Sequence, residues 1–512
     1  MSVRTFAAID VGSYELTMKI FEFSGKSNMR EVDCVGRRLD LGSDTYATGK
    51  ISSEKMDELC RTLREFSEIM TAYKVESYKA YGTSAIRETE NIAIIQDQIA
   101  QRTGIKIEVL SNSEQRFLDY KAVASRGESF RRIIEEKTAI LDIGGGSIQL
   151  SLFDNDTLVS TQNLNLGVLR IQELLHHMEA GVTRMEGLIE ELAQAQLKTY
   201  KKLYLKDREI RNLIIIDDYI SAWAAKRNGR DGKGGAIAHE ELARLMEELK
   251  GSRPTQTAVS LGIPEEKIPL TFISAMLIRQ IEQMMGAEQI WAPCVTLCDG
   301  IAYEYAEKIK MFRKEHDFEE DIVACAMNIS KRYMGSRRSA EALESITTAI
   351  FDSMKKVHGM GKREKLYLRL AAILHDCGKY ISLVNIGENS YNIVMATEMI
   401  GLSHQEREIV ANIVRFNHSR FVYFGQQPNG LDRDSYLIVA KLTAILRLAD
   451  GLDKSNRQKL KGLKAALKEN QLILTVGTQE DITLEKSYFE TRAAFFKEVF
   501  TVEPVLRQHK TI

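Results

Sequence analysis

Residues 138–153, Thr138-Ala-Ile-Leu-Asp142-Ile-Gly144-Gly145-Gly146-Ser147-Ile-Gln149-Leu-Ser-Leu-Phe153, read as an apolar strand ending in an acid, a glycine turn and a second strand. An acid followed by glycines at a strand end can do two jobs. The glycine backbone N–H groups form a nest for anionic oxygens, and the carboxylate holds a hydrated cation or a water. Three consecutive glycines here point to close backbone approach. The chain opens on the same plan: Thr5-Phe-Ala-Ala-Ile-Asp10, the turn Val11-Gly12-Ser13, then Leu16 to Phe23. The echo signals an internal duplication, and two such loops facing each other would form a clamp.

Outward from these two units, strands and helices alternate. A helix is expected over Ser52 to Tyr73 with Ser53 as its N-cap, a strand at Ser77 to Tyr81, a helix at Asn91 to Arg102 and a strand at Ile105 to Leu110. Further strand signals lie at Asn212 to Asp217 and Gln289 to Val295. This alternation is that of an α/β fold. From about Ala306 the patterning turns mainly helical, with charged Lys308 to Glu320 as a linker and a strand signal returning only at Gln471 to Val476. The expected domains are therefore 1–125 and 126–305 as two α/β lobes, 306–460 as a helical body and 461–512 as a small α/β tail.

Lys and Arg total 70 against 71 Asp and Glu, so no global field would draw the chain to nucleic acid or an anionic membrane. No apolar run reaches membrane-spanning length and the start lacks a secretory leader, so a cytoplasmic location is expected. The six cysteines read as scattered thiols of a reducing compartment. Cys294 and Cys298, the only close pair, have no accompanying metal ligands.

Between the two glycine turns lie Gly82-Thr83-Ser84-Ala-Ile-Arg87 and Leu110-Ser-Asn-Ser-Glu114-Gln115-Arg116. With Leu166-Gly-Val-Leu-Arg170, this ordered set resembles the exopolyphosphatase and guanosine pentaphosphate phosphatase (Ppx/GppA) family, of the actin and sugar kinase superfamily. The resemblance implies a duplicated actin-like, ribonuclease H-like fold of two lobes. It also implies Mg²⁺-assisted hydrolysis of a terminal phosphoryl group from polyphosphate or guanosine pentaphosphate. Glu114 matches the family's catalytic acid, and Asp142 and Asp10 would anchor Mg²⁺ together with position 149. Ser13, Thr83, Ser84, Arg87 and the Gly144, Gly145, Gly146 and Ser147 amides would hold phosphoryl oxygens. A homodimer is the partner state the resemblance suggests.

The resemblance extends through Leu374-His375-Asp376-Cys-Gly and Leu446-Arg-Leu-Ala-Asp450-Gly, implying the long form of the family with a C-terminal HD-type domain. There the pattern is a remnant. His375, Asp376 and Asp450 remain, Ser339 stands where an upstream His belongs, and His358 is the available substitute. Other departures fall on polar contacts of the first domain. Gln115 occupies a position where the family usually has a second Glu, Gln149 replaces the Glu closing the glycine motif, and Asp217-Asp218 replaces paired glycines. A glutamine supplies no charge to a metal. A binding protein with little hydrolysis thus stands beside the hydrolase, and a kinase or chaperone of the superfamily would need an adenosine-binding glycine loop that Ile216-Asp-Asp-Tyr219 does not offer.

Overall fold

The structure is a computed structural model that describes residues 4–25, 28–155, 157–178, 182–227, 234–250, 254–311, 316–426 and 430–509. Part of the expected linker, residues 312–315, lies outside the described residues. The chain divides into two compact units, Met1–Asp317 and Phe318–Ile512.

The first unit holds two sheets. One runs in the order β3 (Asn28–Arg38), β2 (Glu15–Ser24), β1 (Arg4–Val11), β4 (Ser77–Gly82), β5 (Glu108–Val109). The other contains β6 (Thr138–Ile143), β7 (Ile148–Asp154), β8 (Thr157–Leu164), β9 (Asn212–Asp217), β10 (Gly235–Ile237) and β11 (Gln289–Ala292), in the order β10-β11-β9-β6-β7-β8. Read from its far edge, β8-β7-β6-β9-β11 repeats β3-β2-β1-β4-β5, antiparallel over the first two pairings and parallel over the last two. The duplication reaches individual hydrogen bonds. Gly12 N–H donates to Glu15 O at 3.2 Å, and Gly144 N–H donates to Ser147 O at 3.0 Å. Asp10 pairs in register with Thr17, as Asp142 does with Gln149.

The central strands β6 and β9 are buried along their whole length, which their continuous apolar runs require once both faces are covered. Helix Ser53–Ala72 packs Met56, Leu59, Leu63 and Phe66 into the core of the first lobe, and helix Ile268–Met285 fills that of the second. The N-cap of the former is Ser52, one residue before the expected Ser53, because its side chain accepts from Lys55 N–H. Strand β3 was not anticipated, since Asn28–Arg38 mixes charged residues along an edge that faces solvent, and β5 is two residues rather than six.

The second unit is helical from Phe318 to Leu452 and ends in a three-stranded sheet, β12 (Lys464–Lys468), β13 (Gln471–Gly477) and β14 (Glu503–His509). Helix Thr483–Phe500 connects β13 to β14 and packs against helix Arg433–Leu452. Among the described residues no helix is long and apolar enough to cross a membrane.

Candidate active site

The carboxyl ends of β1, β6 and β9 open on one cavity of about 260 Å³. Its lining includes Asp10, Ser13, Thr83, Ser84, Asp142, Gly144 and Gly145, so the two echoing turns do face each other. Their approach is close. A Cβ on Gly145 would lie 3.0 Å from Ser13 Cβ, and one on Gly146 would lie 2.5 Å from the Tyr46 hydroxyl. These glycines therefore let the second-lobe loop settle on the first lobe, a packing use beyond anion binding. Gly146 and Ser147 are not among the lining residues, and neither is Arg87, whose guanidinium donates to Leu110 O at 2.8 Å and to Gln115 Oε1 at 3.3 Å. Ser13 and Ser84 hydroxyls are 2.9 Å apart, and Ser13 Oγ accepts from Ala85 N–H at 3.1 Å.

Glu114 does not enter this cavity. Its Oε2 accepts from Ser111 N–H at 3.0 Å and from Ser111 Oγ at 2.8 Å, closing a capping box at the start of helix Asn112–Ala124. The expected catalytic acid is held by its own helix terminus, and the lining residues that helix sends are Gln115 and, one turn later, Asp119. Gln149 is also withdrawn: its Oε1 accepts from Arg116 Nε at 2.8 Å, both side chains being buried. The metal ligand expected at 149 is thus tied to a buried cation.

Acids crowd the cavity instead. Burial, then the nearby Asp218 and Asp142 charges, push the Asp10 carboxyl well up. Burial raises Asp142 to about 7, while Asp119, within hydrogen-bonding reach of it, is pushed well above the usual range by burial and then by the Asp142 charge. Asp10 Oδ1, Asp119 Oδ2 and Asp142 Oδ2 are buried with no hydrogen-bond partner. The paired acids at the end of β9 divide their work. Asp217 takes over backbone satisfaction, accepting from Ile220 N–H at 2.7 Å, from Tyr219 N–H and from the Ser274 hydroxyl. Asp218 lines the cavity, as do Lys267, bonded to Glu15 at 2.6 Å, and Lys19, bonded to Asp299 at 2.9 Å. Asp299 simultaneously caps helix Leu297–Lys308 through Thr296.

Among the described residues no three His, Cys, Asp or Glu side chains converge to hold a metal ion. Mg²⁺ ordinarily needs less, taking one or two carboxylates with its remaining positions filled by water and substrate phosphates. The unpartnered Asp10 and Asp142 oxygens supply that hard-oxygen set, so these residues fit the ion.

The profile of the Ppx/GppA phosphatase family matches residues 20–308, and that of Ppx/GppA phosphatase domain III matches residues 324–493. The chain belongs to the Ppx/GppA phosphatase family. A guanosine-5'-triphosphate,3'-diphosphate pyrophosphatase of Photobacterium profundum is 20% identical over 493 residues, covering 92% of this chain and 91% of its own. Exopolyphosphatase 1 of Mycobacterium bovis is 27% identical over 164 residues, 32% of this chain and 46% of its own. The crystal structure of the Aquifex aeolicus family member superposes with a TM-score of 0.51 at 17% identity, over 60% of this chain and 99% of that one. An exopolyphosphatase from Cytophaga hutchinsonii gives 0.51 at 18% identity, over 60% and 100%. These likenesses establish the duplicated actin-like fold, and membership of a family whose named relatives are phosphatases supports a phosphoanhydride hydrolase that releases phosphate.

In the second unit of this Ppx/GppA chain, His375 caps the end of helix Lys362–Leu374 and Asp376 follows it. Asp376 lies 3.3 Å from both His375 Nε2 and His418 Nε2 and is bonded to Lys379. Burial opposes its charge, yet these donors hold the carboxyl well below the ordinary range. Asp450 Oδ2 is buried without a hydrogen-bond partner. His358 cannot serve as the substitute ligand: Met360 N–H donates to its Nδ1 at 2.9 Å, and its Nε2 lies 2.8 Å from Phe351 O. His418, the last residue of helix His404–His418, brings its ring to Asp376 and, 43 positions away along the chain, to His375 O.

Proposed function

We propose that the cavity hydrolyses terminal phosphoanhydride bonds of a linear polyphosphate or of guanosine pentaphosphate, releasing orthophosphate. The observation that carries this reading is the convergence of both glycine turns and the unpartnered Asp10 and Asp142 oxygens on one pocket. The Gly145 amide with the Ser13, Thr83 and Ser84 hydroxyls binds and orients the terminal phosphoryl group, the Gly144 N–H being held by Ser147 O. Such preorganised donors stabilise charge that grows on the transferred oxygens. Asp10 and Asp142 would hold Mg²⁺, which when bound neutralises the charge of the substrate phosphates beside these acids. Lys19 and Lys267 supply protein-borne positive charge at the same wall. The family's named relatives act on both a guanosine nucleotide and polyphosphate, and the long form of the chain, with an HD-type second unit, favours the polymer. Cytoplasmic residence and a homodimer complete this reading.

Purified protein with Mg²⁺ and long-chain polyphosphate is expected to release orthophosphate faster than it does from guanosine pentaphosphate. Asp10→Asn and Asp142→Asn should each lower that release, and each should shrink the rise in melting temperature that Mg²⁺ confers. Neither substrate yielding phosphate, with no thermal response to Mg²⁺, would sink the proposal. A second reading, binding with little turnover, is favoured by the capping of Glu114 and the Arg116–Gln149 bond, and substrate-bound protein without orthophosphate release would select it.

A further inference from the structure

Helix Asn112–Ala124 presents its cavity face through residues four apart. Successive residues on a helix are rotated by about 100°, so positions 115 and 119 lie nearly over one another, whereas position 114 points elsewhere. Both Gln115 and Asp119 line the cavity, while Glu114 is spent on the helix cap. The amide at 115 can bond a water but cannot take its proton. The acid one turn on can.

Resting on the hydrolase reading above, we infer that Asp119 is the carboxylate that positions the attacking water in this chain, in place of the expected acid Glu114. Asp119 is 3% exposed, and the buried positions around it on the helix include the apolar Leu118, Ala122 and Val123 as well as Arg116 and Lys121. A structural acid so deep is normally paired with a cation or fully hydrogen-bonded, because an unpaired buried carboxylate is costly. Asp119 lies against the Asp142 carboxyl, and its Oδ2, in the cavity wall, has no hydrogen-bond partner. The nearby guanidinium of Arg116 is turned to Gln149 and the Thr161 hydroxyl. Asp142 and Asp10, at strand ends, are the cation holders, which leaves Asp119 as the acid on the helix side of the same pocket.

In the step assigned to it, the water oxygen forms a bond to the terminal phosphorus. The bridging P–O bond breaks, and its electron pair leaves with the shortened phosphate chain. The proton of the water passes to Asp119 and returns to solvent as orthophosphate departs. No oxidant, reductant or further reactant is needed.

The test compares the wild-type chain with Asp119→Asn, Asp119→Glu and Gln115→Glu, measuring turnover on polyphosphate and affinity for an imido-bridged tripolyphosphate. Asp119→Asn should lower kcat at least about a hundredfold, with affinity for the analogue changed less than about threefold and melting temperature unchanged or higher. Asp119→Glu should recover part of the turnover, which a packing role would not allow. Turnover by Asp119→Asn within about fivefold of wild type overturns the inference and leaves the hydrolase reading standing. A wild type that binds the analogue without hydrolysing polyphosphate, and gains hydrolysis as Gln115→Glu, overturns it as well. A wild type that neither binds nor hydrolyses removes the hydrolase reading itself, and the inference with it.

Discussion

Removing the Glu114 side chain separates a structural acid from a catalytic one. In Glu114→Ala, Ser111 N–H and Ser111 Oγ lose the carboxylate oxygen at 3.0 and 2.8 Å that now accepts from both. The reciprocal bond from Glu114 N–H to Ser111 Oγ, at 3.2 Å, survives because it uses backbone. Loss of a helix cap costs about 0.5–2 kcal/mol, and loss of an acid from the first turn about 0.3–1 kcal/mol. Half of the box remains, so the expected sum is about 1–2 kcal/mol. In a unit of this size that lowers the melting temperature by about 2–5 °C. Glu114→Gln, which keeps an oxygen acceptor but no charge, should fall between wild type and Ala. Turnover per folded molecule should stay within about fivefold, since no cavity contact changes. Calorimetry alongside orthophosphate release at saturating polyphosphate reads both quantities. A loss of turnover of about a hundredfold or more with an unmoved melting temperature would refute the capping assignment and restore Glu114 as the water-activating acid.

Gly167→Ala should be among the most damaging small substitutions in the first unit. A Cβ there would lie 2.1 Å from Gly146 C and 2.2 Å from Gly145 O, although its φ of −68° suits any residue. The clash is with backbone, so a cost of about 3 kcal/mol is expected in the urea midpoint, with loss of phosphate release. Stability of the metal-free protein should also depend on pH in a defined sense. Burial raises Asp142 to about 7 and Asp217 to about 6, so the fold favours their neutral forms. Their contribution is fully present below the ordinary carboxyl range and is lost as pH rises through about 6 to 7, by up to about 1.4 kcal/mol per pH unit for each group. The melting temperature should therefore fall between about pH 4 and 7, less steeply in Asp142→Asn. A rising profile would count against the buried-acid picture.

The duplication was legible because β1 and β6 each combine an apolar run, an acid and a glycine within a dozen residues, a local pattern fixed by strand and turn chemistry. Asp10, Ser13, Asp142, Gly144 and Gly145 could be selected on that ground, Thr83 and Ser84 from the ordered set that resembles the family, and all of them meet in one cavity. Asp119 could not. Its only local signal is an acid at i+4 from Gln115, on a helix that buries Arg116 and Lys121 as well as apolar residues. Reading it required knowing which face turns inward. Glu114 and Gln149 show the converse. Residue type and position in a motif suggested chemistry, but a capping box at Ser111 and a buried Arg116 claimed their oxygens first.

By itself the sequence determined the order of elements, the repeated acid-and-glycine turns and the family to which the chain belongs, because these depend on contacts between residues close along the chain. Which carboxylates face the cavity was decided only by tertiary structure. Helix rotation, the packing of Gly145 against Ser13 and competition for each buried oxygen involve residues tens to hundreds of positions apart, and no local pattern fixes the outcome of that competition.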